Sequence, residues 1–321
     1  MWSFLKQKSN EALNRWRDYP LREGSVYMER YCIIRFLGMG SYGQAYACTE
    51  LDTGAAVLLK RSMPSKKELG RRLLKRESDI LQRLDHPQIP KWYAYIRQGR
   101  EEALVMELIE GANVEHKAMA EGHAYTLAEA LGIVRQLLEP LAHVHEAGFV
   151  HRDVRIPNVL EHNGSVSLID FGLACGIGER LPEELLIGLK EKPLAASPPH
   201  GVPEDSGSEL KRRMRLPEPS SDLYGLGHLL LFMLYAGYET AAGQEERSWE
   251  EELALPREAA RFIRRLLQQE EPGWPSAAEC GNELDRLLDG GQIAKGGEQK
   301  QMGRVKAAPD KTRNPDAVEL P

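Results

Sequence analysis

Cysteine is scarce in this 321-residue chain: Cys32, Cys48, Cys175 and Cys280 lie far apart, with no C-x-x-C pair and no histidine cluster beside them. That spacing disfavours a disulfide framework or a structural zinc and fits a reducing, cytoplasmic setting. Long apolar runs are also missing. The longest, around Leu223 to Ala236, is broken by Gly225, Gly227 and His228. It falls short of the roughly 18 to 20 residues that a bilayer span needs, so no transmembrane segment is expected and the run reads as a buried core helix. The opening Met1-Trp2-Ser3-Phe4-Leu5-Lys6 has no continuous apolar region and no small-residue cleavage site, which argues against a secretory signal. Positive charge is in deficit too. The net charge is −6, with residues 1–30 and 291–321 each at +2 and the body between them at −10. An acidic body argues against a nucleic-acid partner, whose binding rests on neutralising phosphates.

What is present falls into three parts. Trp2, Leu5, Leu13 and Trp16 recur near helical spacing before Pro20, so residues 1–30 read as a short amphipathic helix and a linker. Packing on the folded body is its plainer use and membrane-surface contact the alternative, since Glu11 and Asp18 dilute its basic face. From Tyr31 to Lys60 the pattern is β-rich, with Asp52-Thr53-Gly54 as a hairpin turn between two apolar runs. A helix is expected over about 66–84, then strands at Trp92–Ile96 and Ala103–Leu108. Beyond Gly111 the pattern turns helical, with Leu127 to His145 amphipathic, brief strands near Val159 and Val166–Ile169, and helices again from Asp222. The expected architecture is α+β: a small β-rich lobe at about 31–108 and a larger helical lobe at about 112–288. Residues 289–321 are polar and aperiodic and read as a disordered tail.

Gly38-Met39-Gly40-Ser41-Tyr42-Gly43 fits G-x-G-x-x-G, a weak signal by itself because unrelated phosphate-binding designs share it. A dinucleotide fold would open a helix at these glycines. Here Gln44-Ala45-Tyr46-Ala47-Cys48 continues as strand, so the glycines sit at a hairpin tip where the backbone can lie over phosphates. The next strand ends its apolar run in Lys60, and Glu77 follows on the helix, a candidate ion pair. Then come His151-Arg152-Asp153-Val154-Arg155-Ile156-Pro157-Asn158 and Ile169-Asp170-Phe171-Gly172.

With these five motifs in this order, residues 31–288 resemble the eukaryotic-like (Hanks-type) bacterial Ser/Thr protein kinases, which implies a bilobal protein-kinase-like fold. The resemblance implies ATP and Mg²⁺ as cofactors, a protein substrate, and phosphoryl transfer to Ser or Thr hydroxyls. It places Gly38, Gly40 and Gly43 over the phosphates and Lys60 on the α- and β-phosphates, paired with Glu77. Asp153 is the implied catalytic base, Arg155 a cation near the γ-phosphate, and Asn158 and Asp170 the metal ligands. Ala45, Leu58 and Leu160 would enclose the adenine, with Met106 as gatekeeper and the Glu107 and Ile109 backbone facing it. Asp222 matches the buried carboxylate that anchors the catalytic loop. A kinase of a small-molecule acceptor and a nucleotide-binding pseudokinase scaffold are the alternative readings.

Several positions depart from the family pattern. Arg155 stands where lysine is usual, and Ala45 and Leu58 have exchanged sizes, which predicts that they touch. No Thr or Tyr occurs from Leu173 to Leu216, so a phosphorylation switch there would use Ser197, Ser206 or Ser208, with the latter two favoured. The Ala-Pro-Glu motif has two candidates, Val202-Pro203-Glu204 and Leu216-Pro217-Glu218. Trp274 holds the place of the arginine that pairs with that glutamate, so neither Glu204 nor Glu218 is expected to be a buried partner, and the indole is expected against residues such as Phe262, Leu266 or Leu267.

Overall fold

The computed structural model describes residues 18–40, 43–99, 101–188, 206–238 and 247–289, with backbone alone at 187–188 and 206–208. The expected amphipathic helix before Asp18, the tail from 290 and the Val202-Pro203-Glu204 candidate lie outside the described residues.

The small lobe is built on a six-stranded antiparallel sheet: β1 (Val26–Tyr27), β2 (Tyr31–Met39), β3 (Gly43–Glu50), β4 (Ala56–Ser62), β5 (Trp92–Gln98) and β6 (Glu101–Glu107), in the order β1-β2-β3-β4-β6-β5. Asp52-Thr53-Gly54 turns β3 into β4, as its composition predicts. Alternation along β4 sends Val57, Leu59 and Arg61 to one face and Leu58 and Lys60 to the other. The first face packs with Tyr27, Tyr31, Ile33, Tyr46, Ala103 and Val105 into a separate apolar core. The second faces the interlobe cleft and the helix α1 (Lys67–Leu81), whose Leu74, Ile80 and Leu81 are buried.

The sheet starts at Val26, upstream of the small-lobe start expected at 31. Met28 and Glu29 make the β1–β2 turn with φ of 49° and 57°. Such turns favour glycine or asparagine, so Met-Glu gives no turn signal in the sequence. Upstream of it, residues 18–22 lie along the sheet as a strap. The buried Gln44 donates to the Asp18 carbonyl at 2.5 Å, Arg61 to the Tyr19 carbonyl at 3.2 Å, and the Leu21 N–H donates to the Tyr46 hydroxyl at 3.1 Å. Asp18 Oδ1 also accepts from the Ser65 N–H at 2.9 Å, just before α1.

Leu108–Gly111 leads from the small lobe to the larger one, which contains β7 (Ala112–Asn113), α2 (Val114–Met119), α3 (Leu127–Glu146), β8 (Phe149–Val150), β9 (Val159–His162), β10 (Ser165–Leu168) and β11 (Cys175–Gly176), then α4 (Glu183–Gly188), α5 (Ser206–Met214), α6 (Pro219–Tyr235), α7 (Trp249–Leu253), α8 (Arg257–Leu266) and α9 (Ala277–Asp289). Helix α3 starts at Thr126, which forms a reciprocal capping box with Glu129. Its buried Leu131, Val134, Leu138 and Leu141 meet α6, α8 and α9 in one core. Helix α6 is the apolar run noted in the sequence, and ten of its residues, Asp222 among them, are buried. Gly225 lets it approach the catalytic loop, because a Cβ there would lie 2.6 Å from the Val154 carbonyl oxygen. No helix among the described residues is long and apolar enough to cross a membrane.

Candidate active site

A cleft of about 1120 Å³ between the lobes is lined by every site residue expected from the sequence: Gly38, Gly40, Gly43, Ala45, Leu58, Lys60, Glu77, Met106, Glu107, Ile109, Asp153, Arg155, Asn158, Leu160 and Asp170. The sheet supplies the roof. Gly43 pairs with Ser62 at the base of the glycine hairpin, and a Cβ on it would lie 3.0 Å from the Arg61 carbonyl oxygen and 3.5 Å from Lys60 Cγ. Ala45 stands opposite Lys60, and Leu58 opposite Ala47 and Met106. Ala45 and Leu58 are therefore diagonal neighbours on the cleft face, a separation that an alanine methyl bridges poorly.

Lys60 Nζ donates to Glu77 Oε1 and to Asp170 Oδ1, each at 2.8 Å. Burial alone would lower the lysine pKa, but the two carboxylates outweigh it and raise it. For Asp170 the Lys60 charge is the leading cause, and with the Lys60 and Gly172 N–H bonds it brings the carboxyl down to about 2. Glu77, 3% exposed, is pushed up by burial, against the pull of Lys60. A carboxyl depressed in the folded state stabilises above its unfolded pKa and loses that contribution as the pH falls through the folded value. Asp170 is therefore expected to stabilise fully above pH ~4 and to lose this only as the pH approaches 2. Replacing it by Asn should flatten the acid limb of a stability-versus-pH curve over that window.

The lower wall is the catalytic loop, and its geometry is set from below. Asp222, 1% exposed, accepts the His151 N–H at 2.8 Å and the Arg152 N–H at 2.7 Å, and contacts His145 Nε2 at 2.9 Å. Burial pushes its carboxyl up, but His145, His151 and these hydrogen bonds hold it below the ordinary carboxylate range. They also hold Arg152 at φ 65°, a left-handed conformation that non-glycine residues adopt at a cost. His151 Nε2 donates to the Ile169 carbonyl at 3.1 Å, while its Nδ1 accepts from the Asp153 N–H at 3.3 Å, which ties the ring to both motifs. Asn158 Nδ2 donates to the Asp153 carbonyl at 2.9 Å and to Asp153 Oδ2 at 2.7 Å, and Arg155 Nε lies 2.9 Å from Asp153 Oδ1. The Asp153 carboxylate is thus braced on both oxygens at the wall of the cleft. Phe171 is buried and meets His151 edge-on, with ring centroids 4.7 Å apart.

The segment after Gly172 behaves differently from the family pattern. Pro217 is buried and its carbonyl accepts from the Gly178 N–H at 2.8 Å, whereas Glu218 is exposed ahead of α6. Trp274 stacks on Arg265, whose Cζ lies 3.5 Å from the ring centroid, and meets Phe262 at 5.5 Å. Its buried Nε1 has no hydrogen-bond acceptor among the described residues. Trp274→Arg would remove this aromatic packing and set a second guanidinium against Arg265. The larger lobe is expected to lose about 2–3 kcal/mol, measured by chemical denaturation; a variant as stable as the parent would contradict this packing role.

Two lobes, a glycine hairpin over a lysine–glutamate pair, and a carboxylate-bearing loop below define the protein kinase class. The chain belongs to the protein kinase domain family, whose pattern matches residues 31–289. It is 31% identical to the probable serine/threonine-protein kinase YbdM of Bacillus subtilis (strain 168), over 84% of this chain and 94% of that protein. It is 28% identical to myosin light chain kinase 2 of skeletal and cardiac muscle from Oryctolagus cuniculus, over 82% of this chain but 44% of that relative. Among solved structures it is similar in fold to the Mycobacterium tuberculosis PknI kinase domain, with a TM-score of 0.58 at 18% identity over 83% of this chain and 98% of the other. The autoinhibited serine kinase domain of titin gives a TM-score of 0.60 at 20% identity over 81% and 82%.

The sequence missed two groups of residues in and around the site. Arg76 and Glu179 join α1 to the segment after Gly172, and Gln44 and Arg61 hold the strap above the roof. Neither belongs to a motif. Arg61 and Gln44 do alternate with Lys60 and Ala45 as polar residues on an otherwise apolar face, which is the signal that could have exposed them.

Proposed function

We propose that this cleft binds ATP with Mg²⁺ and transfers the γ-phosphoryl group to Ser or Thr hydroxyls of protein substrates in the cytoplasm. The observation that carries the reading is the shared lysine: Lys60 Nζ sits 2.8 Å from both Glu77 and Asp170, joining roof, helix and floor at one point in the cleft. A cation held there between two carboxylates can exchange one of them for a phosphate oxygen. The assignment to Ser or Thr rests on the resemblance to YbdM.

The residues fit a hard divalent cation. Among the described residues, Asn158 uses its amide N–H groups on Asp153 and retains its amide oxygen, and the contacts of Asp170 fall on Oδ1, leaving Oδ2 open. Among the described residues no cluster of three His, Cys, Asp or Glu exists, so Asn158 and Asp170 would hold Mg²⁺ together with water and phosphate oxygens, as that ion prefers. When bound, it would neutralise charge on the phosphates.

The chain's own residues supply orientation and a proton acceptor. The glycine hairpin would cover the phosphates and Lys60 would hold their oxygens. The acceptor oxygen forms its bond to the γ-phosphorus as the bond to the bridging oxygen breaks. ADP leaves with that electron pair, and the hydroxyl proton passes to the Asp153 carboxylate. Asn158 and Arg155 keep that carboxylate aimed. The test is incubation with γ-labelled ATP, Mg²⁺ and a general protein substrate. Phosphoserine or phosphothreonine in protein supports the reading; label confined to a low-mass fraction, or no transfer, overturns it.

A further inference from the structure

Helix α1 carries Glu77 into the cleft, and the neighbouring Arg76 projects from the same turn toward the segment that follows Gly172. There its guanidinium meets Glu179 in a two-pronged pair, Nη1 on Oε1 at 2.8 Å and Nη2 on Oε2. Its Nε donates to the Ala174 carbonyl at 3.3 Å. Glu179 Oε2 also accepts the Gly176 N–H at 2.8 Å. Cys175 and Gly176 pair with Val150 and Phe149, and Val150 runs directly into His151-Arg152-Asp153. An unbroken line of contacts therefore links Glu77 on α1 to the catalytic loop through Arg76 and Glu179.

Two further contacts fasten the same helix to the same segment. Leu73, one turn before Glu77, forms an apolar cluster with Leu185 of α4, walled by Leu69, Leu173 and Leu181. Arg72 pairs with Glu184 at 2.8 Å. Rotating α1 far enough to withdraw Glu77 from Lys60 would tear the Arg76–Glu179 fork and part the Leu73–Leu185 contact. A fork of this kind is directional, so it fixes helix rotation as well as distance. Arg152, beside the catalytic Asp153, is 3% exposed and donates to the Arg215 carbonyl at 2.7 Å and the Leu173 carbonyl at 3.1 Å. Its guanidinium is thus already engaged with the backbone at both ends of this segment.

We propose that Glu179 is a positioning residue: its carboxylate, a permanent part of the chain, holds α1 in the rotation that pairs Glu77 with Lys60, so that transfer needs no phosphorylation of the segment from Leu173 to Leu216. The inference rests on the phosphoryl-transfer reading above. It concerns how the lysine pair is kept assembled and gives Glu179 no contact with substrate.

The experiment uses the full chain. Glu179→Gln and Arg76→Gln should each lower kcat about tenfold or more with KM for ATP changed less, and the two together should cost little more than either alone. The charge-swapped pair, Arg76→Glu with Glu179→Arg, should recover part of the loss, which a role in folding alone would not produce. A chain with Ser197, Ser206 and Ser208 all replaced by Ala should keep at least half of the parental kcat. Parental kcat in Glu179→Gln, or an inactive triple-serine variant, would overturn the proposal while leaving the kinase reading intact. A parent that transfers no phosphate would overturn both. Should Glu179→Gln fail to fold, the triple-serine variant decides by itself.

Discussion

Asp153→Asn is expected to lower kcat by roughly 10²–10⁴-fold, the range for removing a positioned general base, while nucleotide affinity shifts by no more than a few-fold. The asymmetry follows from position. Asp153 is braced by Asn158 and Arg155, and neither Lys60 nor Asp170 hydrogen-bonds to it, so the amide change leaves the Lys60 triad assembled. Asp170→Asn should behave oppositely. It removes one of the two carboxylates that hold Lys60 and a proposed oxygen ligand, so Mg-dependent nucleotide binding should fall along with turnover. Titration of a fluorescent nucleotide with and without Mg²⁺, beside steady-state kinetics, separates the two. Near-parental turnover in both variants would remove the mechanism.

Asp222→Ala is expected to have the largest effect on stability of any change outside the cleft. The carboxylate takes two backbone N–H groups and one imidazole in a place without solvent. Deleting it orphans buried donors and removes the hydrogen bond that fixes the Arg152 backbone in its left-handed conformation. Breaking a buried charged network by removing one partner costs about 3–5 kcal/mol. Thermal denaturation should show a clear fall in Tm, and activity should be lost even where the variant remains folded, because Asp153 lies directly downstream. A variant with the parental Tm and kcat would contradict this account of the loop.

The legible part of this protein was local. The glycine hairpin, the lysine at a strand end and the Asp-x-x-x-x-Asn loop each lie within a few residues, and their spacing fixes their geometry once strand and helix are assigned. Lys60 to Glu77 needed one strand and one helix, both marked by periodicity. The left-handed Met28-Glu29 turn was hidden because its residue types contradict its conformation. The Arg76–Glu179 fork spans 103 residues and depends on how two elements dock, which no spacing rule encodes. Leu216-Pro217-Glu218 illustrates the intermediate case. Its proline is buried and its carbonyl is used, while its glutamate, exposed, has no part in a buried pair, in keeping with an aromatic Trp274 where an arginine is usual.

The strap over the small lobe bears on where this protein can be cut. Arg61 is 5% exposed, and its hydrogen bonds go to Gln44 Oε1 at 2.7 Å and the Tyr19 carbonyl at 3.2 Å, with no carboxylate partner among the described residues. A chain trimmed to the family boundary at Tyr31 would retain that cation and discard the Tyr19 acceptor, along with the Asp18 carbonyl that Gln44 needs. Water would have to enter beside Lys60 to replace them, on the reverse side of the strand that roofs the cleft. A fragment able to keep its own interior dry therefore has to include Asp18, and residues 18–30, ahead of the recognised domain, act as part of its wall.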